Sequence, residues 1–196
     1  MKTVIEYFNI NSPWSFMGHH RLLSVLENFS FTLELRPVNA AQVFSQTGGV
    51  PVPQRHPTRQ KYRLSELKRW DQRLKLNLNI EPAFFPSSDI LAHSCILRMP
   101  TAAKKLEAAH KIGQALWCHE ANIADPQTMS EIMSTCEPNF TLPDEEEQTQ
   151  FASIIEEYGH DAVSQGVFGM PTFLIDGELF WGQDRLDFVF EKLSAA

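Results

Sequence analysis

The first 38 residues limit the fold more than any other part of this chain. Thr3-Val4-Ile5-Glu6-Tyr7-Phe8 is short, β-branched and aromatic, and reads as a buried strand over residues 2–9. It runs into Ser12-Pro13-Trp14-Ser15, after which Phe16, Leu22, Leu23, Leu26 and Phe29 recur at roughly helical spacing. Pro13 suits a first helical turn, where its missing N–H costs nothing. Residues 31–38 then alternate like a second strand that ends in proline. A β-α-β start implies two parallel strands joined by a right-handed crossover.

Residues 39–57 hold Gly48, Gly49, Pro51, Pro53 and Pro57, which is loop composition. From Thr58 the pattern turns helical, with Tyr62, Leu64, Leu67, Trp70 and Leu74 separated by basic residues. Asn77 to Ser88 reads as a loop containing Pro82 and Pro86, and residues 89–99, 101–121, 127–135 and 144–158 as further helices. Asp125-Pro126 and Pro143-Asp144 are helix-start signals, and the acidic run 144–147 fits a solvated first turn. Gly159 is expected to end that helix, with a short one following over 160–166. Thr172–Ile175 and Glu178–Trp181 read as strands joined by an Asp176-Gly177 hairpin turn, and a last helix runs from Gly182-Gln183-Asp184-Arg185 to Leu193. The order β-α-β, helices, α-β-β-α predicts an α/β, thioredoxin-like fold with a large all-helical insertion. Residues 1–38 and 160–196 would form the sheet domain and 39–159 the insertion.

The 196 residues carry a formal charge of −7, which disfavours nonspecific nucleic-acid binding. Cys95, Cys118 and Cys136 form no Cys-x-x-Cys pair and no metal-type spacing, so no metal is expected, and all three read as buried structural thiols. Wide cysteine spacing suits a reducing compartment. The start at Met1-Lys2-Thr3-Val4 shows no secretion signal, and no run of 18 apolar residues occurs, so a soluble cytoplasmic protein without a membrane partner is expected.

Four places carry possible chemistry. Ser12-Pro13-Trp14-Ser15 has the spacing of a Cys-x-x-Cys motif with both sulfurs replaced by oxygen, which rules out disulfide exchange by these residues. Ser12 is either a plain N-cap, worth about 1 kcal/mol to its helix, or a hydroxyl that stabilises a bound thiolate at the positive end of that helix. Met170-Pro171 is either a strand-start proline or a cis bond whose Met170 N–H and C=O pair with an extended, peptide-like ligand. Gln183 and Asp184 cap the last helix, and Asp184 can also receive an α-amino group while Gln183 and backbone amides take a neighbouring carboxylate. His56, near Arg55 and Arg59, either faces an acidic aromatic substrate or is a surface histidine. His19 and His20 read as solvent-facing or capping residues. Trp14, Trp70 and Trp181 read as core or pocket-wall aromatics, with Trp14 the best placed to touch substrate and Pro13 a further substrate-pocket candidate.

These segments resemble the glutathione site of kappa-class glutathione transferases, and still more the related 2-hydroxychromene-2-carboxylate isomerases. The likeness lies in residues 12–16, 168–173 and 176–186, together with Arg36-Pro37, Tyr62-Arg63-Leu64 and Leu67-Lys68-Arg69-Trp70, and so spans nearly the whole chain. It implies glutathione as cofactor, a homodimer, a role in degrading aromatic compounds, and a small aromatic carboxylate as substrate. Ser12 would hold the glutathione sulfur, Met170 and Pro171 the cysteinyl unit, Gln183 and Asp184 the γ-glutamyl end, and Arg59 the glycyl carboxylate. The implied reaction is reversible addition of the thiolate to the hydroxychromene, ring opening, rotation and release of glutathione, leaving a trans-hydroxybenzylidene pyruvate. A conjugating transferase and a non-catalytic glutathione-binding module are the alternatives. Gly49 and Gln183 stand where the kappa pattern has asparagine and serine, which favours the isomerase branch.

Overall fold

The structure, a computed structural model, describes residues 1–26 and 30–195. Strand β1 (Lys2–Phe8) leads into helix α1 (Pro13–Val25) and strand β2 (Phe31–Pro37). Phe29, expected on the apolar face of α1, lies outside the described residues. Helices α2 (Ala40–Thr47), α3 (Pro57–Leu74), α4 (Ile90–Arg98), α5 (Ala102–His119), α6 (Pro126–Cys136) and α7 (Glu145–Ser164) follow. The chain closes with β3 (Thr172–Ile175), β4 (Glu178–Trp181) and α8 (Leu186–Ser194). The sheet order is β2-β1-β3-β4, with β1 and β2 parallel and β3 antiparallel to both β1 and β4. This is the thioredoxin-like α/β fold with its helical insertion. Among the described residues no helix is long and apolar enough to cross a membrane.

Alternation along β1 divides the core. Val4 and Phe8 join Phe16, Leu22, Leu33, Phe173 and the insertion helices in one hydrophobic cluster. Tyr7 points the other way, into a smaller cluster with Val38, Val43, Ala162 and Leu174. The larger cluster continues without a break into Cys95, Leu106, Ile112, Trp117 and Met133 of α4, α5 and α6, so the insertion packs directly on the sheet.

Three expectations change. Residues 40–47, expected as loop, form α2: the glycines and prolines of that stretch all lie at 48 and beyond, while Asn39 caps Ala41 and Gln42 and Gly48 closes the helix with φ +75°. Gly159 does not break its helix, and α7 runs unbroken across residues 159 and 160. A lone glycine costs a helix only about 1 kcal/mol, and here it is buried under the flexible end of the Gln42 side chain from α2. His19, expected at the surface, is fully buried with its Nε2 3.2 Å from the equally buried Glu6 Oε1. It lies three residues from both Phe16 and Leu22, on the face of α1 that meets β1.

Candidate active site

The turn between β1 and α1 is built by Asn9. Its Oδ1 accepts from Asn11 N–H at 3.0 Å and its carbonyl from Ser12 N–H at 2.9 Å, while its amide donates to Val38 O and Asp89 Oδ2. His93 Nε2 accepts from Ile10 N–H at 3.1 Å, and Asn11 exchanges two hydrogen bonds with the backbone of Ser87. The loop that delivers Ser12 is therefore fastened to β2, to α4 and to the segment before α4.

Ser12 caps α1 in extended conformation, accepting from Ser15 N–H at 3.2 Å. No acidic residue of the first turn of α1 neutralises its positive end. The Ser12 hydroxyl proton goes to Met170 O at 3.3 Å. That contact is long, and an anionic acceptor at the same place would compete well for the proton. Ser15 is fully buried one turn below.

The Met170–Pro171 bond is cis. Pro171 O accepts from Gly182 N–H at 2.8 Å, tying the start of β3 to the end of β4. The Met170 N–H makes no hydrogen bond among the described residues. A cavity of about 780 Å³ opens beside these groups, lined by Trp14, Arg59, Met170, Gln183 and Asp184 among others. All three pocket-wall candidates, Trp14, Trp70 and Trp181, line it.

Gln183 is only 2% exposed; its Oε1 accepts from Arg21 at 3.3 Å, and its amide NH2 has no partner among the described residues. Asp184 is exposed and sits 3.4 Å from Arg185. Pro13 is buried beneath Trp14 and Pro171 is buried behind Met170, and neither belongs to the cavity wall. His56 is exposed, caps α3 by accepting from Thr58 N–H at 3.3 Å, and is likewise absent from the wall. Arg55 and Arg63 also line the cavity; in the sequence Arg55 stands out only as a neighbour of His56 and Arg63 only within Tyr62-Arg63-Leu64, with no role for either. Both lie on the side formed by α3, where Arg59 also stands.

The three cysteines are free and none lines this cavity. Burial pushes the Cys95 thiol up to about 12 and the Cys118 thiol up to about 11, and it raises Cys136 as well. All three stay neutral thiols near pH 7, although Cys118 is only half-buried.

Comparisons with known proteins bear on the fold and the family. The family described as DSBA-like thioredoxin domain matches residues 3–194. A 2-hydroxychromene-2-carboxylate isomerase from Sphingobium xenophagum is 26% identical, with 96% of each chain covered. Glutathione S-transferase kappa 1 from Rattus norvegicus is 23% identical over 92% of this chain and 86% of its own. A solved structure of a 2-hydroxychromene-2-carboxylate isomerase superposes with a TM-score of 0.79, covering 97% of this chain and 94% of that one at 22% identity. The chain belongs to the DSBA-like thioredoxin domain family.

Proposed function

We propose that this protein is a glutathione-dependent isomerase of an aromatic carboxylate, of the 2-hydroxychromene-2-carboxylate type. The observation that carries the reading is one cavity lined by Met170, with its unpaired N–H, Arg59, Gln183 and Asp184, beside Ser12, which is not on the wall itself but is hydrogen-bonded to Met170 O. The isomerase and kappa-transferase names of its relatives support the same chemistry.

The donor set fits a tripeptide thiol. Met170 offers a backbone N–H of the kind an extended peptide takes up. Arg59 makes no ion pair among the described residues and would meet a terminal carboxylate. Asp184 would receive the α-amino group, and the free amide of Gln183 the carboxylate next to it. Bound glutathione would supply a thiolate nucleophile that adds reversibly to a conjugated carbon. Ser12 and the first turn of α1 would hold that sulfur in its ionised form, as preorganised donors aimed at negative charge. Trp14, in the same turn, would orient the flat acceptor next to the sulfur.

The test is to mix purified protein, glutathione and a 2-hydroxychromene-2-carboxylate and follow product and free thiol together. The proposal expects a trans-hydroxybenzylidene pyruvate with no net loss of glutathione. Stoichiometric thioether would make the protein a conjugating transferase. Glutathione binding without turnover would leave a binding module.

A further inference from the structure

Most arginines in this chain have a carboxylate partner. Arg21 pairs with Asp187, Arg36 with Glu34 and Asp161, Arg69 with Glu66, Arg98 with Glu147 and Arg185 with Asp184. Arg55, Arg59 and Arg63 have none among the described residues, and all three line the same cavity. The carboxylates that share this wall, Glu66 and Asp184, are each engaged by another arginine. The α3 side of the cavity thus gathers three cations that the protein itself does not neutralise.

The three are not equivalent. Arg59 is exposed and is the residue proposed above to meet the glycyl carboxylate. Arg55 is half-buried and uses its Nε to bond Val50 O at 2.7 Å, which fixes its guanidinium. Arg63 is more enclosed, with its guanidinium carbon 5.6 Å from the Phe85 ring centroid and 5.9 Å from that of Trp117. Its nitrogens make no hydrogen bond among the described residues. Burial, together with the charge of Arg55, pushes the Arg63 pKa down to about 10, so it remains charged at neutral pH at a desolvation cost that an anion would offset. A guanidinium held against two rings with its donor edge unbonded suits a planar, two-oxygen anion.

We propose that Arg63, with Arg55 beside it, anchors the carboxylate of the acceptor molecule, at a subsite separate from the one that takes glutathione. The inference rests on reading the cavity as a glutathione site that admits a second, anionic molecule. The aromatic body of that molecule would lie along Trp14 and Phe44, which share the cavity wall. Arg63 then acts as a specificity-determining residue: it selects acceptors that carry a carboxylate and positions them relative to the sulfur held by Ser12.

The test is calorimetric titration with chromone-2-carboxylate, an unreactive planar analogue, and with its uncharged primary carboxamide, using wild type, Arg63→Met and Arg63→Lys. Glutathione is titrated separately into each protein. Wild type is expected to prefer the carboxylate by roughly tenfold or more, Arg63→Met to lose that preference, and Arg63→Lys to weaken the carboxylate severalfold without affecting the carboxamide. Glutathione affinity should stay within about twofold throughout. A lost fold would weaken all three ligands alike, so the carboxylate-to-carboxamide ratio reads the subsite itself; Arg63→Lys keeps the test open should Arg63→Met not fold. Equal binding of both probes by wild type, or an Arg63→Lys protein with unchanged carboxylate affinity, overturns the proposal. So does an Arg63→Met protein that loses glutathione as strongly as the carboxylate, which would assign Arg63 to the tripeptide. Carboxylate-selective binding by a wild type that takes up no glutathione would support the anion subsite while refuting the glutathione reading.

Discussion

Substituting Gly113 by alanine tests how firmly α1, and with it Ser12, is held. Gly113 lies inside α5 where that helix crosses α1, and a Cβ there would stand 2.8 Å from Phe16 Cδ2, 3.1 Å from its Cβ and 3.2 Å from its Cγ. Phe16 is 1% exposed, and the ring of His110, one turn earlier on α5, stacks on it at 5.4 Å. A rotamer change would move the ring but not Phe16 Cβ, so α1 itself has to give by a few tenths of an ångström. Two effects oppose each other. Alanine in a helix interior gains about 1 kcal/mol over glycine. An extra methyl forced into a closely packed core costs about 1–3 kcal/mol. The second should win, leaving Gly113→Ala destabilised by about 1 kcal/mol net in urea unfolding, with an unchanged dependence on denaturant. In a Phe16→Leu background, where the ring atoms are gone, the same substitution should cost about 1 kcal/mol less. If Gly113→Ala is about 1 kcal/mol more stable than wild type in both backgrounds, helix propensity alone decides and the crossing is loose.

Two further predictions concern buried ionisable groups. His19→Leu leaves the Glu6 carboxylate alone in the core and should cost about 3–5 kcal/mol, most of it recovered when Glu6→Leu is added; a double variant no more stable than the single one would show that the two are not each other's partner. Burial, then the charges of His20, His19 and Lys111, push the His110 pKa down to about 4. Above about pH 6.5 the folded and unfolded chains both carry it neutral, and below that only the unfolded chain takes up the proton, so stability falls as pH drops toward 4. Burial gives His20 and His93 the same sign. The urea midpoint should therefore fall between pH 7 and pH 5, less steeply in His110→Asn; a flat midpoint, or the same slope in the variant, would contradict this.

The outer elements were legible because each carries a local physical signal. β1 and β2 announce themselves by β-branched and alternating residues, the β3–β4 turn by Asp176-Gly177, and α6 and α7 by their capping aspartates. Ser12 was legible as a cap, and Met170-Pro171 as a bond beside it, because proline and N-cap chemistry act over a few residues. Burial of His19 was not legible, because it depends on Glu6 arriving from another element. Gly159 misled because a lone glycine costs a helix only about 1 kcal/mol, and α7 packs against both α2 and α4. Arg63, marked only within Tyr62-Arg63-Leu64, carried no legible role because an arginine on a basic helix looks like any solvated charge until tertiary structure withholds a partner. Asn9 and Asn11, which set the Ser12 loop, carry only the weak signal of a local Asx turn.

The central claim is that Ser12, at the open end of α1, holds a bound thiol in its ionised form. The most direct measurement is an ultraviolet difference titration of the glutathione thiolate across pH, with wild type and with Ser12→Ala, which loses only about 1 kcal/mol of capping and should remain folded. A bound-thiol pKa lowered by about one unit or more in wild type, and returned most of the way to the free value in Ser12→Ala, is the predicted result. An unshifted pKa in wild type, or an equal depression in both proteins, would reduce Ser12 to a helix cap and contradict the account.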